Sequence, residues 1–354
     1  MAQPVLSIIV PVYNGGVAFH QCLEAIVHSS YADAGYTDAN QSECASSGWE
    51  LIVVDDGSTD GSVAIAQHYT TCVLSTAGRL GPATARNIGA QVASGDYLLF
   101  VDADCVVHPD TLTNLVWEIR THPEVEAFFG SYDDAPAAQN FLSQYKNLFH
   151  HYIHQTGRED ASTFWAGCGA VRRATFWAIG GFNANYRKPC IEDIELGYRL
   201  KAAGHQIRLA KQVQVKHLKC WGVVSLLRAE IFYRALPWTM LILRDRPPVN
   251  DLNLKPSSRW SVVLCGSLVI SVVAGLWNVW FYTLSLAVFT ALMVINAPVY
   301  RFFLEKRGLW FTVRVVPWHL FYYLYGGVAF AIGCCRYWFS KASSTPKPES
   351  ALLG

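Results

Sequence analysis

The stretch GDYLLFVDADCVVHPD, residues 95 to 110, limits what this chain can become more than any other. Tyr97 to Val101 is a short run of aromatic and branched residues, bounded by Gly95-Asp96 and by a polar break. It reads as a buried strand. Asp102-Ala103-Asp104 follows where the strand runs out. Alternation along an extended backbone puts Asp102 and Asp104 on one side, with Ala103 facing away. Two carboxylates so close repel unless a cation lies between them. Mg²⁺ and Mn²⁺ prefer oxygen ligands and also grip phosphate oxygens. The stretch therefore predicts a metal seat for a diphosphate at the C-terminal edge of a sheet. A lone D-x-D also suits a solvated loop, so its neighbours must decide.

Leu6 to Val12 is a first buried strand, ending at Tyr13-Asn14-Gly15-Gly16. Val17 to Val27 has apolar residues at helical spacing. Residues 29 to 48 are small and polar without period and read as an inserted loop. Trp49 to Val54 is a second strand and runs into Asp55-Asp56-Gly57-Ser58. Ser62 to Tyr69 is a helix, Thr71 to Ser75 a third strand, and Pro82 to Ala93 a helix opened by proline. Strand and helix in alternation predict a parallel sheet covered on both faces, whose ligands bind beyond the carboxyl ends of the strands. Tyr13, Asp55-Asp56 and Asp102-Asp104 all fall at that edge, which turns the D-x-D from a loop into a site. Further on come a helix over Pro109 to Arg120, a strand over Val125 to Ser131, and a helical stretch over 138 to 156 rich in Phe, Tyr and His. The glycine-spaced Ser162 to Arg173 lets a ligand approach the backbone closely. A helix with acids in its first turn opens near Ile191-Glu192-Asp193, and Val213 to Lys219 is a last strand.

The 354 residues carry a net charge of +1, which gives no electrostatic ground for binding nucleic acid. Hydrophobic residues make up 52% and charged ones 16%, and the apolar excess sits in the last third. The cysteines form no C-x-x-C pair and read as reduced, which suits a cytosolic catalytic domain. The N-terminus runs into a strand with no basic segment and is not read as a signal peptide.

Trp221 to Leu243 carries Arg228, Glu230 and Arg234 on one side at helical spacing. That predicts an amphipathic helix in a membrane interface, broken at Pro237, or else a buried helix closing the catalytic domain. A polar connector follows to Arg259. Ser261 to Tyr300 contains no charged residue and fits two spans with a turn near Trp277 to Tyr282. Arg301, Lys306 and Arg307 then suit a cytoplasmic loop. Pro317 to Cys335 is long enough for a third span, although the basic residues after it also suit a re-entrant or interfacial course. The division expected is 1–220 catalytic, 221–259 interfacial helix and connector, 260–340 membrane helices and 341–354 tail. The catalytic part is expected on the cytoplasmic face of the cell (inner) membrane.

SIIVPVYN at 7 to 14, VVDDGSTDGS at 53 to 62, ARNIGA at 85 to 90, FVDADC at 100 to 105, GCGAVRR at 167 to 173, GGF at 180 to 182 and EDIELGYRL at 192 to 200 form an ordered set. In this set the chain resembles the family 2 glycosyltransferases over roughly residues 5 to 218. The resemblance implies an α/β, Rossmann-like, mostly parallel sheet of the GT-A type, here followed by transmembrane helices. It implies a UDP- or GDP-sugar donor and a Mg²⁺ or Mn²⁺ ion. Pro11, Tyr13, Asp55 or Asp56, Arg86, Asp102 and Ala103 would then form the donor site. Tyr13 would lie against the base and Arg86 would meet the diphosphate or the base edge. Asp102, Asp104 and His217 would hold the metal. Glu192-Asp193 would supply the base, with Asp193 favoured and Glu192 orienting or capping. The acceptor expected is a lipid or lipid-linked glycan. The competing expectations are a processive polysaccharide synthase, whose Q-x-x-R-W motif is missing from 221 to 243, and an inactive nucleotide-binding scaffold.

Overall fold

The computed structural model describes residues 5–31, 48–245 and 252–343, with side chains described as far as residue 339. Most of the predicted insertion at 29–48, part of the connector and most of the tail lie outside the described residues.

β1 (Leu6–Val12), β2 (Trp49–Asp55), β3 (Val73–Ser75) and β4 (Tyr97–Val101) alternate with α1 (Gly16–Val27), α2 (Ser62–Tyr69) and α3 (Pro82–Val92). Every residue of β1 and of β4 is buried. A strand with helices on both sides has no solvent face, so these runs are continuously apolar. Leu98 and Phe100 of β4 enter one core, while Leu99 and Val101 enter the other. β1 pairs parallel with β2 and β4, and β3 pairs parallel with β2. α3 lies close on β1: a Cβ on Gly89 would come within 2.6 Å of Ile9 Cγ2.

The second half is β5 (Cys105–Val107), α4 (Thr111–Thr121), β6 (Ala127–Tyr132), α5 (Phe141–Thr156), β7 (Cys168–Arg172), α6 (Arg173–Ala178), α7 (Glu192–Ala202) and β8 (Ile207–His217). The sheet order is β3-β2-β1-β4-β7-β6-β8-β5. β7 runs antiparallel between β4 and β6, and β5 runs antiparallel to β8. The sheet is therefore mixed, where alternation of elements predicted a parallel one. The cause is the segment after α5. Asp160 bridges Arg208 near the start of β8, while the Trp165 ring lies 4.8 Å from Tyr132 at the end of β6. The loop thus runs back to the carboxyl edge before β7 begins, and β7 enters from that end.

α8 (Val223–Arg228), a π-helical turn at Ala229–Ala235 and α9 (Leu236–Asp245) form one helical run. The expected break at Pro237 does not occur. Proline lacks the N–H that an α-helix needs, and the wider turn just before it absorbs the mismatch. α10 (Pro256–Ala274) and α11 (Trp280–Ile295) form the expected hairpin. α12 (Ala297–Ser343) is broken at Gly308, whose φ is 77°. α10 and α12 are long and apolar enough to cross a membrane. α11 has 16 residues, about 24 Å of rise, less than the about 30 Å of a hydrocarbon core. The helices are tied to the α/β part. Lys306 Nζ lies 2.6 Å from Asp134 Oδ2, and Arg307 Nε donates to Gln144 Oε1 at 2.8 Å.

Candidate active site

A cavity of about 1050 Å³ opens at the carboxyl edge of the sheet. Its outer end is built on β1 and on the turn after β2. Pro11, Tyr13 and Asp56 line it. Asp55 does not serve the cavity as expected: its oxygens accept from Ser58 N–H at 3.1 and 3.3 Å, closing the turn after β2. Asp56 is buried and accepts from Thr76 Oγ1 at 3.0 Å, Leu80 N–H at 2.8 Å and Gly81 N–H at 2.9 Å. It thereby fixes the loop before α3. Gly81 has φ 98°, and a Cβ there would meet the Arg187 carbonyl oxygen at 2.6 Å, so only glycine fits. The Arg79 guanidinium lies over the Tyr13 ring at 4.0 Å.

Asp102 and Asp104 do not sit on extended backbone. The chain turns directly after Val101, and Cys105 N–H donates to Asp102 C=O at 2.9 Å. The turn still brings Asp102, Ala103 and Asp104 to the cavity wall. Arg86 also lines the cavity. Its buried guanidinium reaches Asp102 Oδ1 at 2.6 Å and Glu192 Oε1 at 2.9 Å. Burial acts to lower its pKa, and the two carboxylates outweigh burial and raise it. Arg86 thus joins the tip of β4 to the start of α7. Burial raises the Asp102 carboxyl, and Arg86 opposes that without cancelling it.

His217 ends β8, which pairs with β5 so that His217 faces Cys105. Its Nε2 lies 3.5 Å from Asp104 Oδ2, its Nδ1 lies 2.8 Å from Asn147 Oδ1, and its ring stacks on Tyr132 at 4.4 Å. Burial would raise Asp104, but the charge and hydrogen bond of His217, with Lys219, hold it at about 2. Protonated on both nitrogens, His217 donates to Asn147 Oδ1 and to Asp104. In its neutral form, with the Nδ1–H kept on Asn147, the Nε2 lone pair turns to Asp104, and two acceptors face to face call for a cation between them; an imidazole fixed through its other nitrogen is how metal-binding histidines are held. Asp104 and His217 offer a divalent ion one oxygen and one nitrogen donor, and Asp102, held by Arg86, lines the same wall. Among the described residues no three His, Cys, Asp or Glu side chains close around a point. An ion here would draw further oxygens from phosphate and water, as Mg²⁺ does.

Glu192 and Asp193 open α7 and part ways. Glu192 gives Oε1 to Arg86 and Oε2 to Cys190 N–H at 2.8 Å. Asp193 lines the cavity and accepts from Ala166 N–H at 3.2 Å. Burial and the neighbouring Glu192 charge push its carboxyl up to about 7, against the pull of Arg86. The inner cavity was not read from the sequence. Lys146, Asn147, His150 and His154 of α5 line it, with Trp165 and with Arg228, Glu230 and Arg234 from the helical run after β8. The available signal was one polar face, at helical spacing, on an otherwise aromatic α5. The charged side of the 221–243 segment turns into this cavity; Glu230 is buried.

The cavity lies where open α/β sheets take their ligands, beyond the carboxyl ends of the strands. The chain matches the model of glycosyl transferase family 2 over residues 7–180 and that of glycosyl transferase family group 2 over residues 97–332. The chain belongs to the family 2 glycosyltransferases. It is 35% identical over 115 residues to the glycosyltransferase YibD of Escherichia coli, over 31% of this chain and 29% of that one. The chain spans about a third of the length of the first curated relatives it matches. Mannosyltransferase PcManGT from Pyrobaculum calidifontis, in complex with GDP-Man and Mn²⁺, shares the fold with a TM-score of 0.55 and 16% identity, over 96% of this chain and 89% of that one. S. aureus TarS 1-349 in complex with UDP-GlcNAc shares it with a TM-score of 0.50 and 17% identity, over 68% of this chain and 66% of that one.

Proposed function

We propose that the protein is a membrane-anchored, divalent-metal-dependent, inverting glycosyltransferase that moves a sugar from a UDP- or GDP-sugar to a lipid or lipid-linked glycan. The observation that carries the reading is the place of Asp193: half-buried, it stands on the wall of the cavity that Asp102 and Asp104 also line, where desolvation and the Glu192 charge raise its carboxyl. A base tuned close to neutrality accepts a proton at working pH and still ionises to do so.

The outer end takes the nucleotide. Tyr13 offers an aromatic surface for the base, and the loop held by Asp56 shapes the floor beside it. Asp102, Asp104 and His217 would hold Mg²⁺ or Mn²⁺, which when bound supplies positive charge against the departing diphosphate. Arg86 keeps Asp102 in place and Glu192 out of the chemistry. Asp193 takes the proton of the acceptor hydroxyl as its oxygen attacks the anomeric carbon. The bond from that carbon to the diphosphate breaks on the opposite face, which inverts the configuration. Asp193→Asn is expected to abolish transfer while nucleotide-sugar binding persists by calorimetry; near-normal turnover would refute the assignment.

Membrane anchoring is supported by α10 and α12 and by the exposed apolar residues along the helices, among them Trp277 and Trp280 at the hairpin tip. Lys306 and Arg307 lie against the catalytic part. That agrees with a multi-pass protein whose catalytic side faces the cytoplasm of the inner membrane.

A further inference from the structure

Lys146 on α5 and Arg234 on the π-helical turn both reach one oxygen of Glu230. Nζ of Lys146 lies 2.6 Å from Oε1, and Nη1 of Arg234 lies 3.4 Å from the same atom. Lys146 and Glu230 are largely withdrawn from solvent, and all three line the inner cavity. Two cations on one carboxylate leave a positive charge that no protein group in this trio balances. Arg234, the more distant of the two cations, is about a third exposed to the cavity (35%) and so can offer its charge to a ligand. Arg228, one turn earlier, also faces the cavity. Arg234 is close enough to Asp193 for their charges to act on each other. The excess charge therefore stands beside the base, on the acceptor's side of it. π-helical turns are rare and gather at functional sites.

Resting on the glycosyltransferase reading above, we propose that this end of the cavity is an anion subsite, in which Lys146 and Arg234 hold a phosphate of a lipid-carried acceptor beside the hydroxyl or phosphate oxygen that Asp193 serves. A phosphate offers three oxygens to donors arriving from different elements. A planar guanidinium and a mobile ammonium satisfy it from two sides. A neutral sugar hydroxyl needs neither. Glu230 keeps the two cations poised while the subsite is empty. The helical run that carries Arg234 packs on α12, one of the two membrane-length helices among the described residues, which favours a lipid as the carrier.

The test uses the full chain in detergent and three probes: farnesyl phosphate, farnesol and inorganic phosphate. Affinities are read by calorimetry, and UDP and GDP titrations run in parallel. Farnesyl phosphate is expected to bind at least about tenfold more tightly than farnesol, as one lost charge-assisted contact implies. Inorganic phosphate should bind more weakly than farnesyl phosphate; equal affinity would overturn the lipid source. Lys146→Met and Arg234→Met should each weaken farnesyl phosphate by about tenfold or more. Glu230→Gln should tighten it, because the competing carboxylate charge is gone. If the trio only ties α5 to the π-turn, Glu230→Gln will instead lower the unfolding temperature with no gain in affinity, and the subsite is refuted. Loss of UDP or GDP binding in Arg234→Met would assign the arginine to the donor and also refute it. Failure of the wild-type chain to bind either nucleotide would sink the transferase reading itself, a separate outcome.

Discussion

Arg86 is the point at which fold and chemistry are joined, and its removal has a calculable cost. Its two contacts, at 2.6 and 2.9 Å, are each worth about 6 kcal/mol gross at an effective dielectric constant of about 20. Burial of the guanidinium and of Glu192 cancels much of that. What remains on replacing Arg86 with methionine is the penalty of leaving carboxylates without their cation, about 3–5 kcal/mol for a broken buried pair. For the α/β part that Arg86 holds together, about 200 residues, each kcal/mol shifts the melting temperature by about 2–4 °C. Arg86→Met should therefore melt roughly 6–20 °C lower in detergent, followed by intrinsic fluorescence. Arg86→Lys keeps the charge but cannot span both partners, and should recover only part. The decisive arm is the double variant Arg86→Met/Glu192→Gln. With one orphaned carboxylate neutralised, it should be more stable than Arg86→Met alone. A single variant that melts within about 1 °C of wild type, or a double variant less stable than the single, would refute the argument that these carboxylates are held by Arg86.

Other consequences can be measured directly. With the Asp193 pKa raised to about 7, the ionised base forms above that pH, so kcat/KM should rise through about pH 7 and flatten beyond it; a flat profile from pH 5 to 9 would contradict the assignment. Asn147→Leu removes the partner of His217 Nδ1 and should raise the Mn²⁺ concentration needed for half-maximal activity by about 10–100-fold. Gly81→Ala puts a methyl within 2.6 Å of the Arg187 carbonyl at a φ of 98°, and should weaken nucleotide binding while the far-UV spectrum stays unchanged.

What the sequence made legible was whatever depends on local pattern. β1, β2 and β4 are buried on both faces, so their residues announce themselves, and the polar residues after them had to lie at one edge. Direction was not legible for β7, because only the path of the loop after α5 decides from which end that strand enters. Nor was the fate of individual polar groups. Asp55 and Asp56 are neighbours, yet one closes a turn and the other pins the loop before α3. Arg86 reads as a phosphate ligand, but nothing local shows that the start of α7, over a hundred residues away, also brings Glu192 to it. The inner cavity stayed dark for the same reason. Lys146 and Arg234 belong to segments that only the packed helices bring face to face.

One helix carries two duties. α5 sends Lys146, Asn147 and His150 into the cavity, while Tyr145 and Phe149 pack on the other side against His319 of α12, with Phe149 at 4.8 Å between ring centres. The cavity and a membrane-length helix thus share a wall. On the membrane-anchored reading proposed above, a bilayer that tilts α12 would lean on that wall, and bilayer thickness would act on turnover.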